Sequence, residues 1–517
     1  MGKENPEKAA VRPAGYEALI ARYKLEVIPN WHRSFVAVGG LHRISVSSGV
    51  TEEIFPAKYW PGETPMDHLE FALKYDGTNL AILARIFQAM PQRELLAHIK
   101  SKPTGKYARR LWYFYEFLTG KTLPLKNLTQ GNYIDLIDPE EYYATAARPQ
   151  RRQRINDNLP GDRRFCPMIR RIAALRAFEN ADLPERCRKV VADYPPELLK
   201  RALAYLYTKE TKSSFEIEHI KPDLTRTERF VALLQLAHRE DFCRKPRLID
   251  LQNRIVDPRF RDPDYRTSQN YVGQTAAWRR EKIHYACPKP EDLPDMMDGL
   301  LAAHQRMEEG GIPPVAQAAA VAYGFVFLHP FEDGNGRIHR FLIHNILARR
   351  QFTPEGVMFP VSASMLKSAA DYDESLEEFS RPLMSLVEFS LDDDGRMTVH
   401  NDTALWYRFV DMTAQAQALF TFIERTIQTE LVEELTFLAN YDRTRKAIQE
   451  IVDMPDRRID LLIRTCLQNH GCLSAGKRAS HFSALTEEEI RLTEEAVQES
   501  YGAAGTSVAG DVGVKRE

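Results

Sequence analysis

A mainly α-helical protein with several domains is predicted by three features of the sequence. Beyond residue 165 most of the chain spaces its apolar residues with the period of a helix facing a core. One run, IPPVAQAAAVAYGFVFL (312–328), is apolar on nearly every face, which marks a helix enclosed by other elements. Stretches with strand character are short and fall in the first 150 residues and in one later hairpin. At 517 residues the chain is too long for one compact core, so about two to four domains are expected.

The segments follow in order. Residues 1–14 and 502–517 lack apolar periodicity and are expected to be flexible tails. Residues 15–147 make an aromatic-rich N-terminal domain of mixed character. There, RSFVAVGGLHRISVSSG suggests short strands with Gly turns, whereas LEFALKYDGTNLAILARIFQAM and YARRLWYFYEFLTG have helical spacing. Residues 148–164, RPQRRQRINDNLPGDRR, are basic and contain Pro, and are expected to be a solvated linker. Residues 165–400 read as mainly helical, with SQNYVG (268–273) and KIHYACP (282–288) forming a hairpin. Residues 401–501 read as a helical C-terminal domain in which Thr486 and Glu489 make a capping box. Within it, residues 456–482 have the spacing of a small helix-turn-helix with Lys477 and Arg478 exposed, so a winged-helix-like unit is one expectation.

Composition narrows the function classes. Hydrophobic residues are 44% and charged residues 27%, ordinary for a globular protein, and a net charge of -2 provides no global field towards nucleic acid or anionic lipid. No apolar run reaches the length of a membrane span, the polar N-terminus lacks a secretory apolar region, and Pro at position 6 breaks a myristoylation signal. The six cysteines (166, 187, 243, 287, 466 and 472) include no CxxC pair and no zinc-type spacing, so reduced thiols in a cytoplasm are expected.

The chemistry concentrates in HPFEDGNGRIHR (329–340). Pro330 disfavours helical geometry at His329, so the apolar helix should stop there and present the imidazole to a loop. The DGNG turn (333–336) supplies permissive backbone whose N–H groups can converge on an anion. A second helix starting near Gly336 adds its N-terminal N–H groups, and Arg337 and Arg340 lie on its first turn. This set makes a phosphate cradle beside a base, with carboxylates near enough for a divalent cation. A Walker loop is excluded because no Lys follows the glycines, and a Rossmann fingerprint because position 339 is His.

These twelve residues resemble the signature of the Fic (Fido) family, HxFx(D/E)GNGRxxR, at every specified position. The resemblance covers roughly residues 200–385 and implies a Fic-type helical core, a small β-hairpin flap, and AMP transfer from ATP to a protein hydroxyl. Carried over by position, His329 is the general base, Phe331 the hydrophobic anchor of the loop and Asp333 the Mg²⁺ ligand. Gly334, Asn335 and Gly336 form the hole for the α- and β-phosphates, Arg337 contacts phosphate and Arg340 meets the γ-phosphate. The 268–288 hairpin resembles the flap on which a target segment docks by main-chain pairing. Upstream, SSFEIEH (213–219) resembles the family's inhibitory helix, (S/T)xxxE(G/N), through Ser214 and Glu218. Its last position is His219, where Gly or Asn is expected, which predicts a different helix end.

The resulting expectation is a Mg²⁺-dependent protein adenylyltransferase using ATP, acting on Ser, Thr or Tyr of a target protein and held in check by Glu218. Phosphoryl transfer ranks below it, since that branch of the family is expected to carry Lys where this chain has Gly336. Removal of AMP, and a nucleic-acid-binding regulator with an accessory Fic core, are the other readings. A homodimer is left open, and no membrane partner is expected.

Overall fold

The computed structural model describes residues 11–38, 42–47, 49–277, 280–354 and 357–502. The expected tails lie almost wholly outside these residues, except that Val11–Pro13 form a strand (β1). It pairs antiparallel with β2 (His32–Ala37), which runs parallel to β4 (Val50–Phe55), and β3 (Arg43–Ser47) closes the order β1-β2-β4-β3. The helical stretches of this region become α1 (Leu80–Ala89) and α2 (Lys106–Thr119). Leu83, Ile86, Leu111 and Phe114 are completely enclosed in one N-terminal core. The first helical stretch is broken at Gly77, whose φ of 83° and close approach to Trp31 and the Tyr142 hydroxyl leave no room for a side chain.

The segment 148–164 is not a solvated linker. It contains β6 (Arg148–Gln150) and β7 (Ile155–Asp157), which join β5 (Ile134–Asp135) in a three-stranded sheet. Ile155 and Leu159 are fully buried. Arg152 lies 3.0 Å from Glu116 and stacks over Trp112. Arg152, central among the cations that suggest a solvated run, finds its partners on α2, which local charge density cannot reveal.

The largest core runs from Tyr143 to Leu438. Its helices include α3 (Pro196–Glu216), α4 (Lys245–Ile255), α5 (Leu293–Glu309), α6 (Pro314–Leu328), α7 (Asn335–Arg349), α8 (Ala369–Met384), α9 (Thr413–Arg425) and α10 (Leu431–Ile451). The apolar run predicted to be enclosed is α6, in which Val315 to Phe325 are buried without interruption. The hairpin is present as β8 (Tyr271–Ala277) and β9 (Arg280–Ala286), paired antiparallel, and the tip residues 278–279 lie outside the described residues.

A boundary at residue 401 falls inside this core rather than at its edge. Trp406, Met412, Leu419 and Ile423 pack with it, as do Leu431, Leu435 and Leu438 at the start of α10. The other end of α10, at Ile448, belongs to a small C-terminal core with α11 (Asp456–Leu467) and α13 (Glu487–Tyr501), to which Leu473 and Phe482, on either side of α12 (Ala475–His481), contribute. One continuous helix therefore serves two cores, which apolar periodicity alone cannot divide. The capping box of Thr486 and Glu489 opens α13 as expected. Among the described residues after α10 there is no strand, so the unit has no wing. Lys477 is exposed, but Arg478 is bound to Glu494 at 2.8 Å. No helix is long and apolar enough to cross a membrane among the described residues.

Candidate active site

The motif is the junction of α6 and α7. Helix α6 stops at Leu328, and His329 turns the chain with φ 50° and ψ 59° while its N–H still bonds the Phe325 carbonyl at 2.9 Å. The left-handed residue ends the helix one position before Pro330, as the sequence requires. Phe331 is fully buried, with its ring against those of Tyr265 and Phe325. Asn335 fastens the loop from within: its Oδ1 accepts from the Phe331 N–H at 3.1 Å and its Nδ2 donates to the Phe331 carbonyl at 2.7 Å. That pairing turns the side chain inward, where it is buried, so what Asn335 offers an anion is its main-chain N–H. Gly334, at φ 90°, caps α7. The first turn of α7, Asn335 to Arg337, then points main-chain donors outward without helical acceptors.

His329 sits partly buried with Nδ1 3.2 Å from the Val326 carbonyl. This contact makes Nδ1 the protonated nitrogen and leaves the Nε2 lone pair free. Burial, reinforced by the Arg266 cation, pushes the imidazole down to about 4, so the ring is neutral at pH 7. A neutral ring with a free nitrogen is the form a proton acceptor needs.

The carboxylates gather on the other side of the loop. Asp333 accepts from the Gly334 N–H at 2.6 Å and from Arg337 at 2.8 Å, and its side chain remains 45% exposed. Asp262 accepts from the Glu332 N–H at 3.1 Å. Burial and the neighbouring Glu332 and Asp333 push the Asp262 carboxyl up. Hard oxygen donors carrying mutually repelling charge fit a divalent cation such as Mg²⁺.

Across from the loop, α3 brings Ser214, and the turn that closes it brings Glu218. Glu218 Oε1 accepts from Arg340 Nη2 at 2.7 Å, while Oε2 lies 2.7 Å from Arg337 Nε. One carboxylate thus spans both arginines. The Arg337 contact is an ion pair without the alignment of a hydrogen bond. Arg340 also donates to the Ser214 hydroxyl at 2.9 Å and to its carbonyl at 2.6 Å. A Cβ on Gly336 would fall 2.5 Å from Glu218 Oε1, so a side chain at 336 is incompatible with this closure.

The end of α3 is intact despite His219. That residue takes φ 56°; its N–H bonds Glu216 at 2.8 Å and the Ile220 N–H bonds Phe215 at 3.1 Å. These are the two bonds of a Schellman motif, and Ile220 packs against the core that contains Phe215. Histidine adopts here the left-handed conformation that Gly or Asn would adopt with less strain.

Residues 243–347 match the model of the Fic/DOC family. This chain contains a Fic domain. The protein adenylyltransferase Fic of Aedes aegypti is 30% identical over 122 residues, covering 23% of this chain and 22% of that protein. The enzyme of the same name from Nematostella vectensis is 27% identical over 198 residues, covering 38% and 34%. The chain therefore spans between about a fifth and a third of the length of these relatives. A solved Fic-domain signalling protein from Bacteroides thetaiotaomicron is similar at a TM-score of 0.35 and 18% identity, over 50% of this chain and 93% of that one.

Three participants in the Fic domain had no signal in the sequence. Arg266 donates to the His329 carbonyl from below the loop, Asp262 bonds the Glu332 N–H, and Gln252 Nε2 reaches Asp262 at 3.2 Å. Each is an isolated polar residue in its own segment, and only packing gives it a role. Elsewhere, ligand atoms of Asp241, Cys243 and His304 come within 4.8 Å of one another. Gln317 Nε2 faces His304 Nδ1 at 3.1 Å, with its oxygen committed to Arg350, an arrangement that directs a proton on His304 Nε2 towards Asp241, 3.5 Å away.

Proposed function

We propose that this protein is a Mg²⁺-dependent protein adenylyltransferase, autoinhibited by Glu218, that transfers AMP from ATP to a Ser, Thr or Tyr hydroxyl. The observation that carries the reading is the free Nε2 of a neutral His329 at the edge of the Gly334–Gly336 cradle. The main-chain N–H groups at the start of α7 receive the α- and β-phosphates, and Arg340 receives the γ-phosphate once Glu218 withdraws. The target hydroxyl oxygen bonds the α-phosphorus as the bond to the β-phosphate oxygen breaks, and pyrophosphate leaves. The hydroxyl proton passes to His329 Nε2. Asp333, with Asp262 and Glu332 nearby, would hold Mg²⁺, which neutralises phosphate charge when bound.

The hairpin supports the target side of the reading. A two-stranded ribbon leaves each strand with one edge unpaired within the sheet, and an extended segment can add there by main-chain bonds. Glu218 supports autoinhibition because it occupies both guanidinium groups with the charge that a phosphate would bring. Intact-mass analysis of the purified protein and of a host lysate after incubation with ATP and Mg²⁺ tests the activity. Added AMP is the expected result; added phosphate, or no addition even with Glu218→Gly, contradicts it.

A further inference from the structure

We infer that Arg266 is a positioning residue that fixes the distance between the target-docking hairpin and His329. Its guanidinium is buried, with the residue 5% exposed, and each of its three nitrogens donates to a main-chain carbonyl in a different segment. Nε reaches the His329 carbonyl at 2.8 Å, Nη1 the Ser268 carbonyl at 2.6 Å and Nη2 the Pro288 carbonyl at 2.7 Å. The Arg266 main-chain N–H adds a bond to the Pro330 carbonyl at 2.8 Å.

Ser268 precedes β8 and Pro288 follows β9, so two of these bonds hold the two feet of the hairpin and two hold the catalytic loop. The feet are also joined to each other, through the Cys287 N–H to the Asn270 carbonyl at 3.0 Å and Gln269 to the Cys287 carbonyl at 2.7 Å. The hairpin base is therefore one connected unit; the Ser268 hydroxyl, donating to Glu332, and the Tyr285 hydroxyl, donating to the Phe327 carbonyl, also tie the hairpin to this region, and Arg266 is the side chain that bonds both feet and the His329 carbonyl at once. Only a planar fork can make this lock, because its donors diverge at fixed angles towards three carbonyls, whereas an ammonium is a single point. A cation buried among carbonyls, with no carboxylate bonded to it, is costly to desolvate, and burial lowers its proton affinity. Positioning gives that cost a reason. The substrate hydroxyl arrives on the hairpin and the base sits on the loop, so a shift of about 1 Å between them would cost about 100-fold in rate.

The inference about transfer rests on the adenylyltransferase reading, and the test separates the two. Arg266→Lys and Arg266→Ala are made in the Glu218→Gly background, with melting temperature as a check on folding. Amide hydrogen exchange should rise together in the hairpin (271–286) and the loop (329–334) of the Lys variant. Its kcat for AMP transfer should fall about 100-fold while KM for ATP stays within about twofold of the parent, because no nucleotide-binding group has changed. Ethylguanidinium at millimolar concentration should restore part of the rate to Arg266→Ala. Unchanged exchange in either segment, or a kcat equal to the parent's in Arg266→Lys, overturns the inference. A Glu218→Gly parent that transfers no AMP overturns the functional reading instead, and the exchange data then decide alone whether Arg266 couples hairpin to loop.

Discussion

The contact between α3 and α7 has two ends of opposite character. At the loop end, Glu218 is 22% exposed and faces two guanidinium groups that are nearly inaccessible. At the other end, Glu210 is completely enclosed: His344 Nε2 lies 2.7 Å from its Oε1, the Ser362 N–H donates to Oε2 at 2.9 Å, and the Ser362 hydroxyl donates as well. Phosphate oxygens can replace a carboxylate opposite two arginines, because the fork accepts either. Nothing entering from solvent can replace Glu210. On the proposed reading, Glu218, in the turn that closes α3, is a displaceable plug about two turns beyond a permanent anchor on the helix, so the plug could leave its arginines while the helix stays in place.

That contrast is open to attack at several points, from the largest effect down. His329→Ala, made in the Glu218→Gly background, should lower AMP transfer about 10²- to 10⁴-fold. Calorimetric ATP affinity should hardly change, since the cradle is main-chain and arginine. Retained transfer would move the base elsewhere and leave the plug guarding the wrong group. At the anchor, Glu210→Ala orphans three buried donors at about 1–3 kcal/mol each. Chemical denaturation should record a loss of at least about 3 kcal/mol, and a loss as small as that of a surface substitution would erase the distinction between the ends. Ser214→Ala removes one neutral acceptor of Arg340, worth about 0.5–1.5 kcal/mol. Transfer should rise about two- to tenfold in a radiolabel assay, less than for the loss of Glu218; a fall would make Ser214 part of the active arrangement. The smallest effect is expected at the helix end. His219→Gly relieves a left-handed histidine and should stabilise the protein by about 1 kcal/mol in denaturant melts, leaving transfer low. Destabilisation would mean that the imidazole holds the cap by another contact.

The parts of this arrangement differ in how far the sequence exposes them. The loop from His329 to Arg340 is contiguous, so its helix stop, turn and cation spacing could be derived from neighbours alone. Ser214 and Glu218 were legible through their likeness to a family pattern, but His219 looked like a defect until its dihedral showed the cap closed. The Glu210 anchor was invisible because its partners are 134 and 152 positions away. Arg266 was invisible for the same reason, bonding 63 positions ahead to the His329 carbonyl. The segment 148–164 is misleading because a cation such as Arg152 looks solvated in the sequence, whereas Glu116 and Trp112 lie beside it in the fold. Periodicity gave the helices of residues 401–501 but not their allegiance, since α10 turns one half to each of two cores.

The most direct test of the displaceable plug is AMP incorporation by the wild type, Glu218→Gly and Glu218→Gly/His329→Ala, with ATP, Mg²⁺ and protein concentration held equal. A charge-assisted contact of about 1.5–3 kcal/mol corresponds to a population shift of about tenfold or more. Glu218→Gly should therefore incorporate at least about ten times more AMP than wild type, and the double variant should return to background. A Glu218→Gly protein no faster than wild type, in a preparation that modifies itself or a target measurably, would contradict the account: the carboxylate would then be a structural partner of Arg337 and Arg340 and not a barrier to ATP.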